Sequence, residues 1–154
     1  FIDLHSLEIL DYLFLLRLEI HTTVDVMDEL DDEQVHILKK REENGDLYVY
    51  SMNSDEIEEV SNMSLSNALS TTDKSIFYYS MKLGCLVLTG DKKLRKTIED
   101  SGSEVPGIVW IFDQWVGGSI ISKEDAADML LALIKENPFL PIAECQERID
   151  KWQN

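Results

Sequence analysis

The chain is expected to fold as an α/β protein, a three-layer α/β/α sandwich around a mainly parallel sheet. Short strand-like runs alternate with runs whose apolar residues recur at helical spacing, and strands separated by helices imply parallel pairing through right-handed crossovers. The run Cys85-Leu86-Val87-Leu88 has no polar member, the pattern of a central parallel strand covered on both faces. At 154 residues and 44% hydrophobic content the chain suffices for one core and is short for two, so residues 1–154 are read as a single domain.

Phe1 to Asp3 reads as the tail of a first strand, too short alone and therefore expected to lack its earlier part. Leu7, Ile9, Leu10, Leu13, Phe14 and Leu16 form a helical apolar face, and Leu18 to Ile20 is a short strand bounded by His21-Thr22-Thr23. Thr23 suits the cap of the next helix, which carries Val24, Met27 and Leu30 at spacing three. A helix from Glu33 to Glu43 breaks at Asn44-Gly45, and Leu47 to Tyr50 is a strand. Ser54 to Met63 reads as a helix with an acidic outer face. Thr72 to Leu83 reads as another, with Ile76, Phe77, Ser80 and Met81 inward and Gly84 as its stop. Beyond the central strand, Lys92 to Glu99, Gly107 to Val116, Lys123 to Glu136 and Ile142 to Trp152 are helical, with Pro138 and Pro141 marking the step into the last.

Charge and cysteine usage narrow the function classes. Fourteen Lys+Arg against 30 Asp+Glu leave a net charge of −16, which repels phosphodiester backbones at long range and favours solubility or a basic partner. Lys92, Lys93, Arg95 and Lys96 form a local basic cluster, either a solvated helix face or a hold for substrate phosphates. Cys85 and Cys145 have neither metal-ligand spacing nor a disulfide pattern, which suits a reducing cytoplasm. No apolar run approaches the roughly 20 residues that span a bilayer. His5, His21 and His36 are isolated, and no Ser-His-Asp set, glycine-rich phosphate loop or zinc motif is present.

The acids carry the chemistry. Asp73 opens a helix after Leu69-Ser70-Thr71-Thr72, and Asp91 follows the apolar strand in Leu88-Thr89-Gly90-Asp91. Ligands of open α/β sheets bind beyond the carboxyl ends of the strands, so two acids there suggest a cation site. Mg²⁺ and Mn²⁺ are hard cations that prefer carboxylate and water oxygens, and carboxylates gathered without a cation repel one another. Each acid also has a plainer role. Asp91 suits the cap of the helix from Lys92, and Asp73 suits a capping box with Ser70. Glu29 lies in the acidic series Asp25, Asp28, Glu29, Asp31, Asp32, Glu33, where periodicity does not separate it from Asp28.

Four segments together resemble the PIN-domain family, which includes the toxin ribonucleases of bacterial toxin-antitoxin pairs. They are Asp28-Glu29-Leu30 closing an early helix, Leu69-x-x-x-Asp73, Leu88-Thr89-Gly90-Asp91-Lys92-x-Leu94-Arg95, and Gly107-Ile108-Val109-Trp110-Ile111. The resemblance covers nearly the whole chain and is most specific over Leu88 to Arg95. It implies that Glu29, Asp73 and Asp91 hold Mg²⁺ or Mn²⁺ for RNA phosphodiester hydrolysis, and beside such a metal Lys92 and Arg95 of the basic cluster are the expected phosphate contacts. It also implies a further aspartate ahead of Phe1, since the family's first acid ends the first strand and Asp3 falls too late in the pattern.

Two functions are therefore expected. One is a metal-dependent endoribonuclease, a candidate toxin with an antitoxin partner. The other is a non-catalytic PIN-like module that works by binding protein. The helices from Gly107, Lys123 and Ile142 offer enough apolar face to expect a homodimer or a partner helix.

Overall fold

Parallel pairing requires a crossover between strands, and helices supply it. Strand β1 (Ile20–Thr23) pairs in parallel with β2 (Leu47–Tyr50), in the register Ile20↔Leu47 to Thr23↔Tyr50. The crossover carries α3 (Val24–Met27) and α4 (Asp32–Glu43). The computed structural model describes residues 1–6 and 8–153. Leu7, expected on the first apolar helical face, lies outside them.

The chain forms two compact units. One comprises Glu19–Pro106, the other Phe1–Leu18 with Gly107–Asn154. In the first, α4 starts with a capping box of Asp31 and Gln34 and stops before Gly45, whose φ of +80° is left-handed. Helix α5 (Ser54–Asn62) starts with a second box, Asn53 with Glu56. Helix α6 (Thr71–Leu83) starts with a third, Ser70 with Asp73. It ends at Gly84 in left-handed backbone (φ 66°), where the Cys85 N–H closes on the Ser80 carbonyl at 3.0 Å. Helix α7 (Lys92–Asp100) packs Leu94 and Ile98 into a buried cluster with Leu69, Phe77, Val87 and Val105. In the second unit lie α1 (Ile2–Ser6), α2 (Leu10–Phe14), α8 (Ile108–Gly117), α9 (Lys123–Glu136) and α10 (Ile142–Gln153). Phe112 meets the Trp115 and Trp152 rings, and Trp115 donates its indole N–H to the Tyr12 carbonyl at 2.9 Å. Val109, Ile111, Phe112 and Trp115 are all buried, so much of the apolar face of α8 is already covered.

Three expectations change. Phe1 to Asp3 is not a strand tail: Ile2–Ser6 is helical, with the His5 N–H on the Phe1 carbonyl at 2.9 Å and Leu4 buried. Asp3 in the first turn suits the positive end of that helix, a local preference that an apolar–acid reading of three residues does not reveal. The early strand runs over Ile20–Thr23 rather than Leu18 to Ile20, because β-branched Thr22 and Thr23 pair opposite Val49 and Tyr50. Cys85 to Leu88 is not a buried central strand. No described residue pairs with it, and burial alternates along it: Val87 is buried while Leu86 and Leu88 are 57% and 42% exposed. Uninterrupted apolarity read as two covered faces, whereas one face is covered here. Within α6, Met81 likewise points outward, and Ser75, Tyr78 and Tyr79 take the buried positions.

Candidate active site

The carboxyl ends of β1 and β2 fall at Thr23 and Tyr50, and the first turn of α6 is tied to the β1 end by hydroxyls. Ser75 Oγ donates to the Thr72 carbonyl at 2.9 Å. Its single proton is thereby used, so in the buried 2.9 Å contact with Thr23 the Thr23 hydroxyl donates. Thr23 Oγ1 in turn accepts the Val26 N–H at 3.4 Å, capping α3. This chain fixes the start of α3 against the start of α6.

Glu29 follows α3 and reaches the same place. Thr72 Oγ1 donates to Glu29 Oε1 at 2.6 Å, which brings that carboxylate to the residue before Asp73. Asp73 is half-buried, and its Oδ2 accepts the Ser70 N–H at 2.8 Å. Asp91 is exposed and caps α7, its Oδ1 accepting the Lys93 and Leu94 N–H groups at 2.8 Å each. The starts of α6 and α7 are neighbours through Leu69 and Leu94, which share one buried cluster, and through Lys93 Nζ on the Ala68 carbonyl at 3.5 Å. Among the described residues, hydrogen bonds occupy one oxygen of each of the three carboxylates. By donor type the set suits a hard cation. By proximity, no group of three or more His, Cys, Asp or Glu among the described residues is placed to hold a metal ion.

The basic cluster divides. Lys92 is exposed at the start of α7. Arg95 instead spends its guanidinium on backbone, donating to the Thr89 carbonyl at 3.1 Å and to the Val105 carbonyl, with Glu99 at 3.6 Å. It braces the segment that carries Asp91. An arginine one turn into a helix, with carbonyl-rich loops on both sides, has this use in addition to phosphate binding.

Composition and spacing did not reveal a second polar cluster at the other end of α6. Glu56 accepts from Lys82 Nζ at 2.6 Å, from the Tyr79 hydroxyl at 3.1 Å and, on its own cap, from the Asn53 N–H at 2.9 Å. Tyr78 donates to Glu59 at 2.6 Å, and Tyr79 also reaches the Ser51 carbonyl at 3.1 Å. The Lys82 ammonium holds the Glu56 carboxyl below its ordinary range, and Glu56 in turn raises Lys82. Burial, then Glu56, pushes Tyr79 up to about 12. The helix expected to carry an acidic outer face thus buries one of its acids, Glu56, and the Tyr78, Tyr79 and Lys82 spacing of three and four along α6 is the local signal that could have located the cluster.

A family model described as a PIN domain matches residues 1–154. The chain belongs to the PIN-domain family, whose members are generally nucleases that use divalent metal ions. No curated protein and no solved structure matches it. No helix among the described residues is long and apolar enough to cross a membrane.

Proposed function

We propose that this protein is a divalent-metal-dependent endoribonuclease that hydrolyses RNA phosphodiester bonds, with Glu29, Asp73 and Asp91 as its acidic residues. The observation that carries this reading is the 2.6 Å hydrogen bond from Thr72 to Glu29, which brings the Glu29 carboxylate to the residue before Asp73, 43 positions on, beside the carboxyl end of the parallel pair. A bound Mg²⁺ or Mn²⁺ would neutralise charge developing on phosphate and activate water. Each carboxylate would offer the oxygen that its hydrogen bonds leave over. Thr72 and Ser70 hold Glu29 and Asp73 in orientation, and Lys92 meets substrate phosphate at the start of α7. Arg95 acts as a positioning residue for the Thr89 to Asp91 segment, in place of the phosphate contact expected of it.

The accompanying architecture is one PIN-like domain with a three-layer sandwich, working in the cytoplasm as a candidate toxin. A surface of net charge −16 suits a basic antitoxin segment, and a homodimer is the other partner this reading admits. The absence of an assembled trio of acids among the described residues favours a second reading, a non-catalytic PIN-like module that binds protein. Incubation of the purified chain with a pool of structured RNAs decides between them. Cleavage that needs Mg²⁺ or Mn²⁺, stops with EDTA and is lost in Asp73→Asn and Asp91→Asn supports the nuclease. Intact RNA under all these conditions, from a folded protein, supports the module.

A further inference from the structure

A cleft of about 350 Å³ opens immediately beyond the carboxyl ends of β1 and β2, between the starts of α3 and α6 and one face of α5. Met52, Ile57 and Val60 give it an apolar wall, with Asp25, Ser61 and Lys74 among the polar groups on its lining. We propose that it binds one unstacked nucleobase of a single-stranded RNA, beside the acids of the nuclease reading on which this inference rests. Its position is the first argument. Lys74 follows Asp73 directly, and Thr71, also on the lining, precedes Thr72, so a base seated here leaves its phosphate near the start of α6.

Size and chemistry select the occupant. The volume lies at the small end of the roughly 300–1,000 Å³ of ligand clefts. Ile57 and Val24, both on the lining, are 52% and 39% exposed, so apolar surface is available there for a flat ring to cover. The Met52 thioether is a soft partner for an aromatic face. Base edges carry donors and acceptors together, and the lining offers both. Lys74 only donates and Asp25 only accepts. Ser61, whose proton is used on the Ile57 carbonyl at 2.7 Å, has lone pairs to offer. RNA-binding proteins read splayed single-stranded bases in this way, by apolar contact and edge hydrogen bonds.

The test is a saturation-transfer NMR titration of the full chain in EDTA with AMP, UMP, ribose 5-phosphate and inorganic phosphate. Saturation of the base protons, with affinity falling roughly tenfold in folded Ile57→Glu and ribose 5-phosphate and phosphate binding far more weakly than either nucleotide, is the expected result. Asp91→Asn, which is not on the cleft's lining, should keep nucleotide binding and lose RNA cleavage. Nucleotide binding by a chain that cuts no RNA supports the cleft and overturns the nuclease reading alone. Ribose 5-phosphate or phosphate binding as well as the nucleotides, or base saturation unchanged in Ile57→Glu, overturns the cleft. So does failure of both nucleotides to bind the folded chain.

Discussion

Thr72 holds two partners at the start of α6. Its hydroxyl holds Glu29, and its carbonyl accepts the proton of Ser75. Thr72→Val keeps every charge and removes the first bond, whereas Glu29→Gln keeps an acceptor for Thr72 and removes a charge. If Glu29 serves an ion, Glu29→Gln should abolish its share of Mn²⁺-induced stabilisation, and Thr72→Val should reduce it only in part. Differential scanning fluorimetry with and without Mn²⁺ separates the two. A pH prediction belongs to the second cluster. Glu56 sits below the ordinary carboxyl value of 4.5, so its contribution is present above that pH and is lost as pH falls through the depressed value. Tyr79, raised from 10.0 to about 12, contributes stability present below pH 10 and lost as pH rises toward 12. Lys82, also raised, adds to the alkaline limb in the same sense. Because Lys82 is the main cause of the Glu56 shift, Lys82→Met should move the acid limb of urea-unfolding midpoints to higher pH.

At the scale of elements, the caps decide where helices begin, and they were the most legible feature of the chain. The Ser70–Asp73 box, the Asp91 cap, the Thr23 cap and the Gly84 stop all stand where local side-chain chemistry points. Such signals survive because they depend on neighbours within four residues. What failed depended on distant neighbours. Cys85 to Leu88 looks central from its composition, but coverage of Leu86 and Leu88 is a property of what packs on them. The Thr23–Ser75 contact and the Glu56 cluster span 52 and 26 residues, beyond any local pattern. The cap at Asp91 also permits a clean separation of roles. Asp91→Ala should lower stability by about 1 kcal/mol through loss of the bonds to the Lys93 and Leu94 N–H groups, while Asp91→Asn retains a cap and should cost little. Gly84→Ala places a Cβ on left-handed backbone (φ 66°) in open space, so its cost is strain alone, about 1 kcal/mol. Urea denaturation measures all three.

For the whole molecule, the dominant quantity is the net charge of −16. Self-repulsion at that charge destabilises the folded state, so NaCl should raise the melting temperature by screening, without regard to any site. A divalent ion adds screening too, and a raw Mn²⁺ effect is therefore no sign of a site. The discriminating experiment holds ionic strength constant with NaCl while Mn²⁺ is titrated. An ion that binds only the folded chain stabilises by mass action, about 2.7 kcal/mol at a hundredfold excess over Kd, and the gain saturates, whereas screening at fixed ionic strength leaves no such curve. If Glu29, Asp73 and Asp91 act together, the saturating gain should be present in the native chain and absent in Asp91→Asn, whose stability without metal stays close to native. Equal curves for the two proteins would leave Asp91 as the cap of α7 alone, and would turn the reading of this PIN domain toward protein binding.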